Sequence, residues 1–270
     1  MTKKGRKPGG LFRLIKLACY LIIVVVIGFI GFYLVYPDVS VLKKVNPTKT
    51  SFMKYRENQW RAKGKKLHIQ KRWVSLSKIS PYLVKAVIIA EDDKFWSHRG
   101  FDIDAVQTAL EKNIEKGQFK FGGSTISQQL TKNLYLTPVK NPVRKLKEAI
   151  ITWRLEQAVS KRRILELYLN VIEWGNGIFG AEMASRRYFG KSAAQLTAEE
   201  AAKLAAVLPN PIRFKVNGSS RYAERRAKII YNIMVKRRIV IPDYEDVVQT
   251  PHAAIPGENS SSAGGDAASD

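Results

Sequence analysis

The sequence predicts a mainly α-helical protein that begins with one membrane-spanning helix. Three observations support this fold class. An uninterrupted apolar segment lies near the N-terminus, helix-capping residues recur before apolar residues at helical spacing, and no segment alternates convincingly between apolar and polar residues. A chain of 270 residues also has ample material for a folded core.

The apolar segment covers residues 17–36 and contains no charged side chain. Twenty helical residues span about 30 Å, the thickness of the hydrocarbon core of a bilayer. Residues 1–16 carry six lysines and arginines and no acidic residue. The basic flank therefore predicts a cytoplasmic N-terminus. A cleaved signal peptide is the alternative, but the segment is too long for one and lacks a small-x-small cleavage site.

Three further regions follow the apolar segment. Residues 37–75 are basic with interleaved aromatic side chains, and we expect a juxtamembrane connector that either lies on anionic head groups or is a solvated linker with a short helix or strand. Residues 76–250 are expected to form the folded domain. Residues 251–270 are rich in glycine, alanine and serine, which predicts a disordered tail.

Capping residues predict the helices of the folded domain in order. Ser80 as N-cap and Pro81 at the first helical position begin a helix that ends at residue 90. Asp102 or Asp104 caps the next helix, and Gly117 terminates it. The predicted helices after the first cover residues 105–116, 124–134, 142–169 with a break near Ser160, 181–188, 198–208 after a capping box at Thr197, and 222–238.

The charge balance requires an anionic partner. The chain has 46 basic and 23 acidic residues, a net charge of +23. Nucleic acid, an acidic membrane surface and a phosphorylated substrate all satisfy that charge. A membrane anchor with an external domain disfavours nucleic acid. The single cysteine, Cys19, excludes an internal disulfide framework.

Glu91 is the first candidate for chemistry because it ends an apolar run. A carboxylate at the edge of a buried helix is partly desolvated, which raises its pKa toward the range of a general base. The alternative is a structural glutamate that pairs with Lys94, His98 or Arg99. Position alone leaves both open.

A second candidate is the helix predicted to begin at Ser124. In that helix Ser124, Gln128 and Lys132 would be four residues apart and line one side, with Gln129 beside them. The preceding pair of glycines, residues 122–123, would leave backbone amides free to bind an anion at the helix N-terminus. The segment predicts a site for a polar, anionic molecule.

The third candidate is the pair of Arg144 and Glu148. The two residues would either pair on a helix surface or, with Glu91, make Glu148 part of a carboxylate pair of the kind that glycosyl chemistry uses. The cations that would neutralise a leaving diphosphate are Lys140, Arg144, Lys145 and Lys147. The few histidines and the single cysteine lack metal-ligand spacing, so no metal site is predicted.

Five ordered motifs lie within residues 75–215. They read Glu91-Asp92-x-x-Phe95-x-x-His98-x-Gly100, Gly122-Gly123-Ser124-Thr125-Ile126-x-Gln128-Gln129-x-x-Lys132-Asn133, Arg144-Lys145-x-Lys147-Glu148, Ile164-Leu165-Glu166-x-Tyr168-Leu169-Asn170 and Gly180-Ala181-x-x-Ala184-x-x-Tyr188-Phe189-Gly190-Lys191. In this order they resemble the motifs of the peptidoglycan glycosyltransferases of glycosyltransferase family 51, and the chain as a whole is most similar to the monofunctional members of that family.

The resemblance implies a lysozyme-like helical glycosyltransferase domain over residues 76–250, with a small membrane-facing jaw subdomain. It implies polymerisation of lipid II into β-1,4-linked glycan with inversion and release of undecaprenyl diphosphate. Glu91 would be the general base and Glu148 would act electrostatically. The implied substrate and diphosphate ligands are Ser124, Gln128, Gln129 and Lys132, with Lys140 or Arg144.

The resemblance also implies partners and a location. We expect lipid II, the growing glycan strand and the membrane as partners, with cell-division and penicillin-binding proteins as candidates and no nucleic acid. No cofactor is required, and a divalent cation at the diphosphate is left open. The expected location is the cell inner membrane, with the catalytic domain in the periplasm. The alternatives are a membrane-anchored lytic transglycosylase or muramidase of lysozyme-like fold and a non-enzymatic basic membrane scaffold.

Overall fold

The structure of the protein, a computed structural model, describes residues 9–115, 123–139, 141–218 and 220–240. It is mainly α-helical, as predicted. The helices are α1 Gly9–Val35, α2 Ser51–Ala62, α3 Pro81–Glu91, α4 Ile103–Glu115, α5 Ile126–Tyr135, α6 Pro142–Ala158, α7 Lys161–Val171, α8 Ala181–Phe189, α9 Ala198–Val207 and α10 Arg221–Lys236. The predicted disordered tail lies outside the described residues.

Capping positions several helices where the sequence predicts them. The Ser80 hydroxyl accepts a hydrogen bond from the backbone N–H of Tyr82, and Pro81 starts α3. Ser160 interrupts the predicted long helix, since its hydroxyl caps α7 two residues after α6 ends. Of the two predicted caps for α4, Asp102 accepts from the backbone N–H of Ala105 at 2.9 Å.

Helix α1 is the one helix in the described part of the chain that is long and apolar enough to span a membrane. This is consistent with a single-pass anchor. The helix starts at Gly9, eight residues before the predicted apolar run, because the flanking basic residues Arg13 and Lys16 are good helix formers and continue it.

Helix α6 holds the end of α1. The Arg154 guanidinium donates hydrogen bonds to the carbonyls of Tyr33 at 3.2 Å, Val35 at 2.7 Å and Pro37 at 2.8 Å. The last carbonyls of a helix lack donors from the helix itself, and a cation there is favourable. The Lys147 ammonium also lies 4.9 Å from the ring centroid of Tyr33. The anchor and α6 therefore meet through specific contacts.

The expected connector, residues 37–75, contains a short helix and a short strand, as the linker alternative predicted, but it packs against the folded domain, so the prediction that it is solvated is wrong. It contains α2, which Thr50 caps and which buries Met53 and Trp60. Arg56 on α2 also forms an ion pair with the buried Glu173 at 2.7 Å. Apolar side chains at helical spacing inside this basic segment bury one face of α2 against the domain.

A small sheet was not predicted. Its strands are β1 Gln70–Lys71, β2 Glu173–Gly175 and β3 Ile178–Phe179, in the order β1-β3-β2. Strand β1 runs parallel to β3, and β2 runs antiparallel to β3. Strands of two or three residues are too short to show alternation, so pattern analysis misses them.

Two groups of packed helices bring the candidate residues together. Helix α3 packs on α9 and α10, whereas α5 packs on α6 and α7. Both α3 and α5 are anchored by side chains with almost no exposed surface, such as Leu83 and Val87 on α3 and Leu130 on α5. The C-terminus of α3 meets the start of α5, where the Ile126 backbone N–H donates to Asp92 Oδ2 and the first two motifs join.

Candidate active site

Glu91 is the last residue of α3, and its carboxylate is held by residues of two other helices. Gln129 Nε2 on α5 donates to Glu91 Oε2 at 3.0 Å, and Arg226 Nη2 on α10 donates to Glu91 Oε1 at 3.1 Å. The Glu91 side chain is only 11% exposed. Two of the three expected structural partners are engaged elsewhere, because Lys94 pairs with Asp104 and His98 with Asp92.

The surroundings of Glu91 raise its pKa above the usual value of a glutamate. Burial is the largest cause, because it penalises the charged form. The hydrogen bond from Gln129 and the charges of Arg226 and Lys132 act in the opposite direction without cancelling it. The result is a carboxylate that is poised to accept a proton.

Gln129 lies between Glu91 and a buried tyrosine. Its Oε1 accepts a hydrogen bond from the hydroxyl of Tyr168 on α7 at 2.9 Å, and its Nε2 faces Glu91. The expected role of Gln129 as a substrate ligand stays a prediction. The partners that the structure gives its amide are these two side chains and, at 3.4 Å from Nε2, the backbone carbonyl of Ser124.

Helix α5 begins at Ile126, so the prediction that it begins at Ser124 is wrong. Thr125 is the N-cap, and Gln128 completes a capping box: Gln128 Oε1 accepts from the Thr125 backbone N–H at 3.0 Å, and Thr125 Oγ1 accepts from the Gln128 backbone N–H at 3.2 Å. Threonine followed three residues later by glutamine is a strong capping signal. Ser124, Gln128 and Lys132 therefore do not line one helical side.

The expected anion site at the start of this helix is filled by the protein itself. Asp92 Oδ2 accepts a hydrogen bond from the Ile126 backbone N–H at 2.9 Å. Asp92 Oδ1 lies 2.8 Å from His98 Nε2, while His98 Nδ1 accepts from the Gly100 backbone N–H at 3.1 Å. His98 Nε2 therefore carries the proton and donates to Asp92. Gly122 lies outside the described residues.

Glu148 sits at the centre of a second, cationic cluster. Its side chain is 3% exposed and accepts hydrogen bonds from Arg144 and Lys145 of the same helix, α6. The Lys145 ammonium also donates to Ser124 Oγ at 3.5 Å. The alternative of a surface pair is wrong, because Glu148 is buried. Two neighbouring cations offset the cost of burying a carboxylate.

Lys132 is a half-buried cation near both carboxylates, and it makes no ion pair with the described residues. Burial lowers its pKa, against the opposing charges of Glu148 and Glu91. The cations Arg144 and Lys145 lower the pKa further. Among the described residues, Lys132 is thus a cation without an ion-pair partner.

The remaining candidates have different positions. Lys140 lies outside the described residues. Lys147 contacts the aromatic rings of Phe29 and Tyr33 on α1, so its ammonium faces the anchor and the expectation that it neutralises the diphosphate is not supported. Within residues 9–115, 123–139, 141–218 and 220–240, no three histidine, cysteine or acidic side chains lie close enough to hold a metal ion. Independence from cofactors stays a prediction.

Two residues of the site were missed by sequence reasoning. Arg226 contacts Glu91 across 135 residues of sequence, and no local motif marks it. Tyr168 stands in the fourth motif, but that motif carried no assigned role. Tertiary packing of α10 brings Arg226 to Glu91, and that of α7 brings Tyr168 to Gln129.

The arrangement combines a proton acceptor with fixed positive charge. Glu91 can take a proton from a hydroxyl, and a positioned base of this kind typically accelerates a reaction by about 10²–10⁴-fold. Lys132 and the cations around Glu148 can stabilise negative charge that develops on a leaving group. A group transfer from an anionic leaving group requires both functions.

Comparisons with known proteins agree with this chemistry. The sequence model of the family described as "Transglycosylase" matches residues 60–235, more than half of the chain. The chain is 50% identical over 194 residues to a "Biosynthetic peptidoglycan transglycosylase" of Nitrosospira multiformis, which covers 72% of this chain and 84% of the relative. Identically named relatives are those of Dechloromonas aromatica, 50% identical with 76% and 90% covered, and Aromatoleum aromaticum, 52% identical with 68% and 80% covered.

Proposed function

The chain belongs to the transglycosylase family and is a peptidoglycan glycosyltransferase of cell wall synthesis, and from this premise we propose that Glu91 is its general base. The substrates of that activity are lipid II and the growing glycan strand. The contacts of Glu91 with Gln129 and Arg226, together with its raised pKa, support this role. A lytic enzyme and a non-enzymatic scaffold are not favoured.

In the proposed reaction, Glu91 accepts the proton of the acceptor's sugar 4-hydroxyl. The hydroxyl oxygen then forms a bond to C1 of the donor sugar, while the bond from C1 to the diphosphate oxygen breaks. Attack opposite an α-linked leaving group gives a β-1,4 linkage with inversion. The leaving undecaprenyl diphosphate carries away the electron pair of the broken bond.

The cations are proposed to stabilise the departing diphosphate. Its negative charge grows in the transition state, so fixed cations stabilise that state more than the bound substrate. Lys132, which has no ion pair within the described residues, and Ser124, which contacts Lys145, are the proposed ligands. Glu148 holds Arg144 and Lys145 beside them and acts electrostatically. Lys140 stays in this set from the resemblance alone.

Two earlier candidates take other roles in this proposal. Gln128 completes the capping box of α5, and Gln129 positions the base.

The proposed location is the inner membrane, with the basic N-terminus in the cytoplasm and the catalytic domain in the periplasm. Cell-division and penicillin-binding proteins are proposed as partners, and nucleic acid is not. Whether a divalent cation assists at the diphosphate can be tested by running the polymerisation assay with and without a chelator.

The decisive experiment is incubation of the purified chain with labelled lipid II. We expect long glycan strands from the wild type and a loss of about 10²–10⁴-fold for Glu91→Gln. The matched control is Glu199→Gln, which removes an exposed carboxylate from the first turn of α9. Polymerisation by Glu91→Gln at the wild-type rate contradicts the assignment of the base, and fragmentation of preformed glycan supports a lytic enzyme instead.

A further inference from the structure

We propose that Tyr168 is a positioning residue for the reaction: its hydroxyl holds the amide of Gln129 in the one orientation that keeps Glu91 ready to accept a proton. The inference rests on the proposed role of Glu91 as the base. It concerns a residue that does not contact the carboxylate and acts on it through Gln129.

The hydrogen-bond directions follow from chemistry. An amide has donors only on Nε2 and an acceptor only on Oε1, and an ionised carboxylate can only accept. Because Gln129 Nε2 faces Glu91 at 3.0 Å, Gln129 Oε1 must accept from Tyr168, whose hydroxyl is 2.9 Å away. The chain of donors therefore runs from Tyr168 through Gln129 to Glu91.

Tyr168 is well suited to be a permanent donor. The residue is 1% exposed, and burial raises the pKa of its hydroxyl well above 10, so the hydroxyl keeps its proton at every pH at which the enzyme is active. The charges of Glu91 and Asp92 raise that pKa further. The carbonyl oxygen of Ser124, 3.4 Å from Gln129 Nε2, adds only a weak second preference for the same amide orientation.

Without the tyrosine hydroxyl, the amide is free to rotate by half a turn. Gln129 Oε1 would then face Glu91, and only a protonated Glu91 could donate to it. The rotated amide thus favours the form of Glu91 that cannot act as a base. The charged groups that face Glu91, Arg226 on α10 and Lys132 on α5, are the same in both orientations.

The test is the pH dependence of kcat/KM for lipid II polymerisation. We expect Tyr168→Phe to move the acid limb to higher pH by about half a unit or more, because the carboxylate loses a donor to its charged form. Above the limb the variant should retain activity within about fivefold, since one neutral hydrogen bond contributes about 1 kcal/mol, which corresponds to that factor. An unchanged acid limb overturns the proposal.

Matched variants separate positioning from folding. The control is Tyr188→Phe. It removes the hydroxyl of a different tyrosine, which is partly buried and donates to the Trp174 carbonyl, and it should leave the acid limb in place. In a Gln129→Ala background, Tyr168→Phe should cause no further displacement of the limb. An equal displacement in that background contradicts an effect that passes through Gln129. Thermal melting of each variant shows that the comparison is made on folded protein.

A further variant distinguishes failure of this inference from failure of the proposed function. Glu91→Asp replaces the titrating carboxylate and should itself move the acid limb. If the limb is identical in Glu91→Asp and the wild type, Glu91 is not the base and the proposed function fails. If Glu91→Asp moves the limb and Tyr168→Phe does not, the base stands and the positioning role of Tyr168 is wrong.

Discussion

Asp92 and Ile126 join the end of α3 to the start of α5, through a 2.9 Å hydrogen bond from the Ile126 backbone N–H to Asp92 Oδ2. Both residues are buried. The residue that follows the proposed base therefore fixes the helix that carries Gln129 and Lys132. This contact, together with the hydrogen bond from Gln129 to Glu91, sets the relative positions of the base, the positioning amide and the cation.

Replacement of Asp92 by asparagine should weaken the connection between α3 and α5. Asparagine keeps the shape but has one acceptor oxygen for two buried donors, so one hydrogen bond is lost. We expect the free energy of unfolding to fall by about 1–3 kcal/mol in a denaturant titration. The neighbouring Asp93→Asn breaks only an exposed pair with Arg237 and should cost about 1 kcal/mol or less. Equal losses for the two variants would contradict the structural role of Asp92.

Removal of the Glu91 charge should stabilise the fold. Burial raises the pKa of Glu91 in the folded state above its unfolded value of 4.5. Its contribution to stability is therefore fully present below pH 4.5 and is lost as the pH rises through the folded value. We expect Glu91→Gln to melt at a higher temperature than the wild type at neutral pH, and the difference to shrink in acid. A lower melting temperature at neutral pH would show that Arg226 and Gln129 outweigh burial.

The alkaline limb of the pH profile should belong to Lys132. Burial lowers its pKa, so its ammonium form is lost at a lower pH than in an ordinary lysine. Arginine stays charged, and we expect Lys132→Arg to move the alkaline limb of kcat/KM upward, with a loss of about tenfold near neutrality from altered geometry. Lys203→Arg, at an exposed position of α9, is the control. A limb that stays in place would assign the titration to another group.

Gly100 should not tolerate a side chain. Its φ is +91°, and a Cβ would lie 3.0 Å from Glu156 Cγ and 3.2 Å from Thr152 Cγ2. We expect Gly100→Ala to lower the free energy of unfolding by about 1–3 kcal/mol. Gly64 has a φ of +65° and nothing within 4 Å of a Cβ, so Gly64→Ala measures only the cost of holding alanine at a positive φ. The excess loss at Gly100 then reports the crowding against α6.

Local signals predicted most of the helical fold. Ser80, Ser160 and Thr197 each cap a helix because a hydroxyl at that position satisfies an otherwise unpaired backbone amide. The same rule explains the error at α5, where Ser124 and Thr125 are adjacent candidates and the glutamine three residues after Thr125 decides between them.

The site was less predictable because much of it is assembled from distant segments. Glu91 and Glu148 stood out by position and motif, whereas Arg226 and Tyr168 reach Glu91 or its partner only through tertiary packing. The small sheet and the packing of α2 against the domain were missed for the same reason, since stabilising partners such as Glu173 for Arg56 lie more than a hundred residues away. No local pattern encodes such pairs.

Because Arg154 on α6 binds the carbonyls at the end of α1, helix α6 fixes the distance between the end of the anchor and the cations around Glu148. Glu148 and Arg154 are six residues apart on one helix, so their backbones are separated by about 10 Å whatever tilt α6 adopts. The cation cluster therefore cannot lie much farther than that from the level at which the anchor ends. If α1 spans the membrane as proposed, a diphosphate attached to a lipid is confined to the same level, and we expect the enzyme to meet its substrate by lateral diffusion in two dimensions.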